Sequence, residues 1–97
     1  MAELLDDDTI NGALAGLTGW ERDGNSIVRK AKLPSFPAAI ETVRTVADLA
    51  EERNHHPDID IRYWNLTFRL STHSEGGLTR KDLELAGEID RVLADAG

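Results

Sequence analysis

The residues best suited to acid/base chemistry lie in one stretch of the chain, from Glu51 to His73. This stretch holds the three histidines of the protein, His55, His56 and His73. A neutral imidazole donates or accepts a proton near neutral pH, so two such rings on opposite sides of a cleft could remove one proton while supplying another. Glu51 lies one helical turn before His55, where a carboxylate can orient the ring and stabilise its protonated form. The pattern indicates imidazole acid/base chemistry.

Two other interpretations of the histidines stay open. Three histidines could converge on a metal ion, although adjacent side chains diverge and the chain lacks the His-x-x-x-His and Cys-x-x-Cys spacings of common zinc sites. Adjacent histidines in a loop are also often no more than solvated polar residues. Acid/base chemistry fits the spacing better than metal binding does.

Length and composition limit the class of protein. The 97 residues fit one domain, residues 1–97, and the 11 basic and 18 acidic side chains give a net charge of -7. Because this charge repels a phosphate backbone, we expect no direct binding of DNA or RNA. The chain has no cysteine, no apolar run long enough to span a membrane and no targeting segment at its start, so we expect a cytoplasmic protein without a membrane partner.

The first part of the chain predicts a short helix and a hairpin. Asp6 is the expected N-cap of the helix, which should end near Gly16 because glycine weakens helices. Gly19 and Trp20 then lead into a first strand. Asp23-Gly24-Asn25 supplies the positive-φ residue that a tight turn needs, and the following strand, Ser26 to Leu33, alternates apolar with mostly basic side chains.

A long helix follows, with Ser35 as N-cap and Pro37 in its first turn. Its expected apolar stripe consists of Phe36, Ile40, Val43, Ala47 and Ala50, with Ala39 and Val46 beside it. Proline disfavours helical geometry in the residue before it. The helix should therefore stop before Pro57, which leaves His55 and His56 in a loop.

A second hairpin is predicted from two alternating segments, Ile59–Tyr63 and Leu66–Thr72, joined by a three-residue bend at Tyr63–Asn65. Leu66, Phe68, Leu70 and Thr72 share one face of the second strand. His73 then lies at the end of that strand.

The last helix has a well-defined start. Thr79 is its expected N-cap and Asp82 its third residue, which together make a capping box. The element order is then α-β-β-α-β-β-α, an α+β fold in which three helices pack on one face of a four-stranded antiparallel sheet. Uncovered sheet edges invite pairing with another chain, so we expect a homodimer or homotetramer.

The spacing of the candidate residues is similar to that of a known family. Glu51, His55-His56-Pro57, Tyr63, His73 and Asp82 are separated by three, five, nine and eight residues. This pattern closely resembles the signature of the pterin-4a-carbinolamine dehydratases. The similarity extends to Gly19-Trp20, to the Leu70–His73 segment and to Gly77-Leu78, so it covers nearly the whole chain.

The resemblance implies an enzyme that dehydrates 4a-hydroxytetrahydropterin to quinonoid dihydropterin in tetrahydrobiopterin recycling, with a pterin as its partner and with neither a metal nor an organic cofactor. By similarity, His55 and His73 would be the acid/base pair, and Glu51 would support His55. His56 and Pro57 would bind the pterin, while Trp20, Tyr63 and Asp82 would shape or stabilise the cleft. The alternative is a noncatalytic oligomeric binding or assembly protein, similar to a transcription cofactor, on the same fold.

Overall fold

The computed structural model describes residues 3–96, and it confirms the predicted order of elements. A short 3₁₀ turn, His73–Glu75, follows the last strand. The helices and strands are α1 (Asp7–Leu14), β1 (Trp20–Asp23), β2 (Ser26–Lys32), α2 (Phe36–Arg53), β3 (Asp58–Arg62), β4 (Asn65–Leu70) and α3 (Arg80–Ala96).

The four strands form one antiparallel sheet in the order β1-β2-β4-β3, so β4 lies between β2 and β3. Gly24 adopts φ +62 between β1 and β2, as the Asp-Gly turn signal predicts. The register pairs Ile27 with Leu70 and Ala31 with Leu66 across the two central strands. Because side chains alternate along a strand, these apolar residues share one face of the sheet.

The three helices cover that apolar face. Phe68 of β4 and Ile89 of α3 are fully buried in one core with Ile10 of α1 and Val46 of α2. On the other side of the sheet, Lys30 is exposed and Thr67 is half-buried. The fold is therefore the predicted α+β arrangement with helices on one face.

The predicted helix starts are confirmed by hydrogen bonds. Asp6 Oδ1 accepts from the Thr9 N–H at 2.8 Å, and Ser35 Oγ accepts from the Ala38 N–H at 3.2 Å. Pro37 lies in the first turn of α2, where a missing N–H removes no intrahelical bond. Helix α1 ends at Leu14, two residues before the predicted end.

The buried face of α2 differs from the predicted stripe. Small residues face the core, whereas Phe36 and Ile40 are 51% and 42% exposed. Small side chains allow a helix to approach its neighbours closely, so this face packs inward, while the larger Val43 and Leu49 pack at its margins, partly buried against the core. The buried residues of α2 are Ala39, Thr42, Val46 and Ala50.

The second hairpin also differs in detail. Strand β3 ends at Arg62 and β4 begins at Asn65, so the turn contains two residues and not three. Tyr63 has φ 55, which places it in the turn and not in the strand. Strand β4 ends at Leu70, because the chain then turns into the segment that carries His73. None of the helices formed by residues 3–96 is long and apolar enough to cross a membrane.

Candidate active site

Just after α2, the adjacent residues His55 and His56 bond to different partners. Helix α2 ends at Arg53, and Asn54 follows in the left-handed conformation with φ 51 and ψ 42. The Asn54 N–H donates to backbone carbonyls of the last helical turn, which closes the helix. Pro57 then leads into β3. This left-handed residue reverses the chain, so His55 and His56 meet different neighbours.

Asp82 is held at the start of α3 by the predicted capping box. It is the third residue of the helix and is fully buried. Its Oδ2 accepts from the Thr79 N–H at 2.9 Å and from the Thr72 hydroxyl at 2.8 Å. Both bonds satisfy groups that burial would otherwise leave without partners.

The second oxygen of Asp82 binds His55. The distance between His55 Nε2 and Asp82 Oδ1 is 2.6 Å, and the two side chains are 11% and 0% exposed. A carboxylate only accepts hydrogen bonds, so the proton of the neutral ring lies on Nε2 and the lone pair on Nδ1. This arrangement defines an imidazole–carboxylate pair in which the carboxylate fixes both the tautomer and the orientation of the ring.

The other ring nitrogen of His55 is open to the surroundings. No side chain in residues 3–96 forms a hydrogen bond with Nδ1 of His55. Because that part of the chain contains no buried side-chain N or O atom without a partner, Nδ1 is not fully buried. His55 lines a cleft of about 240 Å³ together with Arg53, Lys81 and Glu84. Nδ1 can therefore exchange a proton with a molecule in the cleft.

Glu51 does not orient His55, contrary to the sequence prediction. Its Oε2 lies 2.8 Å from Nε2 of His56, and the two side chains are 82% and 56% exposed. The prediction assumed that His55 continues the helical spacing from Glu51. The chain leaves the helix at Asn54, so the carboxylate meets the next residue instead.

His73 lies beside the same hydrogen-bond network through the backbone. It directly follows Thr72, whose hydroxyl binds Asp82, and it begins the 3₁₀ turn with an exposed side chain. The Thr72 carbonyl accepts from the N–H groups of Glu75 and Gly76, both at 3.0 Å, and Gly76 closes the turn with φ +74. The fold thus connects the segments that carry His55 and His73 through Thr72 and Asp82.

Trp20 is a core residue and not part of this network. Its side chain is 4% exposed, and its indole N–H donates to Asp90 of α3 at 2.9 Å. Arg29 donates to the same carboxylate oxygen at 2.6 Å. Because its polar group is already bound, the observed role of Trp20 is to join β1 to α3.

Tyr63 lies at the opposite end of β3 from the histidine pair. It is 77% exposed and packs against the neighbouring Trp64 ring, with 6.1 Å between the ring centroids. The five-residue strand Asp58–Arg62 separates it from Pro57. At about 3.3 Å per residue such a strand spans roughly 16 Å. The fold therefore does not bring Tyr63 to His55.

Two site residues were not predicted from the sequence as part of the site. Thr79 was expected only as a helix cap, and Thr72 only as the last inward-facing residue of β4. The signal for Thr72 was its polarity, because it continues a strand face that otherwise consists of Leu66, Phe68 and Leu70. A buried hydroxyl needs a partner, and here that partner is Asp82.

Within residues 3–96, no group of three or more His, Cys, Asp or Glu side chains is arranged to hold a metal ion. The site consists of a buried imidazole–carboxylate pair at a cleft and a second histidine on the neighbouring turn. By its fold and its site, the protein is a small α+β protein with a buried imidazole–carboxylate pair.

The particular family follows from sequence similarity. The sequence profile of the family described as "Pterin 4 alpha carbinolamine dehydratase" matches residues 3–92, and the chain belongs to this family. A relative from Roseiflexus castenholzii is 55% identical over 93 residues, which cover 96% of this chain and 100% of the relative. A relative from Mycobacteroides abscessus is 58% identical over 90 residues, 93% of this chain and 96% of the relative. Both carry the provisional name pterin-4-alpha-carbinolamine dehydratase.

Solved structures share the fold. A crystal structure described as a transcriptional coactivator/pterin dehydratase from Brucella melitensis superposes with a TM-score of 0.91 at 30% identity and covers 94% of this chain and 99% of that one. A pterin dehydratase-like protein described as a RuBisCO assembly factor of the alpha-carboxysome gives a TM-score of 0.63 at 16% identity over 76% of this chain and 86% of that one. The second likeness concerns the fold alone.

Proposed function

We propose that the protein dehydrates 4a-hydroxytetrahydropterin to quinonoid dihydropterin. The observation that carries this proposal is the His55–Asp82 pair, in which a 2.6 Å hydrogen bond to a fully buried carboxylate leaves Nδ1 of a cleft-lining ring without a side-chain partner in residues 3–96. Membership of the dehydratase family supports the choice of a pterin as substrate. The reaction requires the loss of a hydroxyl group and of a proton from adjacent atoms, which is acid/base chemistry.

His55 acts as the base in this proposal. Its Nδ1 takes the proton from N5 of the pterin, and the electrons of that N–H bond form the N5=C4a double bond as the C4a–O bond breaks. Asp82 stays ionised and stabilises the imidazolium that forms on His55, because a charge-assisted hydrogen bond is stronger than a neutral one. The imidazole–carboxylate pair thus lowers the barrier to proton removal from N5.

His73 supplies the acid. Its protonated ring gives a proton to the departing 4a oxygen, which leaves as water. His55 then carries the added proton and His73 has lost one, so exchange with solvent restores both rings. The exposed position of His73 on the 3₁₀ turn supports this role, since the ring must regain its proton in every cycle.

His56 and Glu51 bind the substrate in this scheme and do not transfer protons. Their hydrogen bond holds the exposed imidazole of His56 in the same loop as His55. Pro57 fixes the backbone after the pair, because its ring restricts φ. We propose that the reaction takes place in the cytoplasm as part of tetrahydrobiopterin recycling, as in the dehydratase family.

A noncatalytic binding role is the second candidate. It is favoured by the exposed apolar side chains of Phe36 and Ile40 on α2, and by the description of the Brucella melitensis structure as a transcriptional coactivator. The same residues support assembly into a homodimer or homotetramer, because exposed apolar groups gain free energy when another surface covers them. Light scattering of the purified protein would give the oligomer size.

The deciding experiment measures the decay of enzymatically generated 4a-hydroxytetrahydropterin with and without the protein. We expect acceleration by the unaltered chain and by Asp60→Asn, an exposed residue of β3 that serves as the matched control. The variants His55→Gln and His73→Gln should both lose most of the acceleration while keeping the fold. No acceleration by the unaltered chain, together with stoichiometric capture of a protein partner, would favour the noncatalytic role.

A further inference from the structure

Thr72 and Thr79 form a hydrogen-bond chain behind Asp82 that the proposed proton transfers do not use. The two hydroxyl oxygens are 2.7 Å apart, and both residues are buried. Thr72 also bonds to Asp82 Oδ2 at 2.8 Å. The Lys81 N–H points at the Thr79 hydroxyl oxygen at 3.3 Å. The chain therefore runs from the backbone of α3 to the carboxylate that holds His55.

The direction of this chain is fixed. A hydroxyl group has one proton to donate, and Asp82 as a carboxylate has none. Thr72 must therefore donate to Asp82, so the proton between the two threonines belongs to Thr79. Every donor in the chain points towards Asp82 Oδ2, which leaves Oδ1 as the acceptor for His55.

We propose that Thr72 is a positioning residue, whose hydroxyl fixes the plane of the Asp82 carboxylate and thereby the tautomer of His55. With the Thr79 N–H and the Thr72 hydroxyl both on Oδ2, the carboxylate cannot rotate without losing a buried hydrogen bond. Without the Thr72 hydroxyl, the Thr79 N–H is the one donor left on Oδ2 of Asp82. The ring of His55 then loses the fixed partner that keeps its proton on Nε2.

The backbone of Thr72 gives it a second connection to the site. Its N–H donates to the Gly77 carbonyl at 2.9 Å, and its carbonyl accepts from the N–H groups of Glu75, Gly76 and Gly77, in and just after the turn that carries His73. One residue thus sets the orientation of His55 through its side chain and holds the His73 turn through its main chain. A side-chain substitution separates the two effects, because the main-chain bonds stay available.

This inference rests on the proposed function only where it concerns the reaction rate, so its main readout is independent of activity. Two-bond ¹⁵N–¹H spectra report which nitrogen of each histidine carries the proton, and the signals of His55 are assigned by their loss in His55→Gln. In the unaltered chain we expect the ring of His55 to be protonated on Nε2 and not on Nδ1. The opposite tautomer there would overturn the proposal without any variant of Thr72.

The variants Thr72→Val and Thr72→Ser form the matched pair. Valine keeps the shape and removes the hydroxyl, whereas serine keeps the hydroxyl and removes a methyl group. We expect a mixture of His55 tautomers in Thr72→Val and the single Nε2-protonated form in Thr72→Ser. The charged neighbours of His55 in the cleft, Arg53, Lys81 and Glu84, are the same in both variants.

Kinetics give the second readout. A displaced base costs up to about 100-fold in rate even when substrate binding is intact. We therefore expect kcat of Thr72→Val to fall by about tenfold or more with KM unchanged, and Thr72→Ser to recover it. A single His55 tautomer with unchanged kcat in folded Thr72→Val would refute the positioning role, as would a mixture of tautomers in folded Thr72→Ser. If the unaltered chain shows no dehydratase activity, the proposed function fails, and the tautomer measurement still decides the role of Thr72.

Discussion

His55 and His56 are neighbours in sequence, and each ring has a carboxylate partner at a similar distance, yet their surroundings differ. His55 bonds to Asp82 at 2.6 Å with side chains 11% and 0% exposed. His56 bonds to Glu51 at 2.8 Å with side chains 56% and 82% exposed. Distance alone would rank the two pairs as near equals.

Burial separates them. Water screens the exposed pair and competes for its hydrogen bond, so such a pair contributes about 0–1 kcal/mol to stability. The buried carboxylate cannot turn to water, and removing one of its partners leaves groups without hydrogen bonds. The buried pair can therefore hold a ring in one tautomer, whereas the exposed pair can rearrange around a ligand.

The largest effect on the reaction should come from replacing the His55 ring. We expect His55→Gln to lower kcat/KM for 4a-hydroxytetrahydropterin by about 10²–10⁴-fold, the usual contribution of a positioned acid or base. His56→Gln should lower kcat/KM less, mainly by raising KM. Equal losses in kcat from both variants would contradict the assigned difference between the two histidines.

The carboxylate of the buried pair should matter for stability as well as for rate. Asp82→Ala removes the acceptor of three hydrogen bonds, from His55, Thr72 and Thr79. We expect the free energy of unfolding to fall by about 1–3 kcal/mol for a buried group left unpaired. Urea titration followed by circular dichroism measures the change. An undiminished unfolding midpoint would show that water or a rearranged side chain replaces the carboxylate.

The exposed pair should show the opposite balance. Glu51→Gln is expected to change the unfolding free energy by less than about 0.5 kcal/mol, as for other surface substitutions. Its effect on the reaction should be a rise in KM of a few-fold with kcat kept, because the proposed role of the pair is to bind the pterin. A loss of kcat as large as that of Asp82→Ala would contradict the binding role and indicate that Glu51 takes part in catalysis.

The smallest effect concerns a carboxylate that has only local partners. Hydrogen bonds from the Thr9 side chain and then from the Thr9 backbone N–H lower the pKa of Asp6 below 3.8. Because the folded-state pKa is the lower one, this cap stabilises α1 above pH 3.8 and loses its effect as the pH falls through the folded-state value. In Asp6→Asn, the pH dependence of amide exchange in α1 beyond its intrinsic rate should be smaller, and the part that remains comes from Asp7 and Asp8 in the first turn. The same pH dependence in both proteins would refute the assignment.

The fold was largely predictable from local patterns. The caps at Asp6 and Ser35, the Asp-Gly turn and the Thr79–Asp82 capping box each depend on residues a few positions apart, and the structure contains all of them. The buried face of α2 was predicted only in part, because hydrophobicity alone does not tell which side of the apolar stripe packs most closely. In this helix Ala39 and Val46 are buried and Phe36 is exposed.

The sequence by itself determined which chemical groups are present and at which element ends they lie: two histidines after a helix, a third after a strand, and an aspartate in a helix cap. Only the tertiary structure decided that Asp82, and not Glu51, binds His55. His55 and Asp82 are 27 positions apart, with a hairpin and a turn between them, and no local rule fixes how the two residues meet. That meeting depends on the packing of α3 against α2 and the sheet, which buries Asp82 and makes Thr72 its donor.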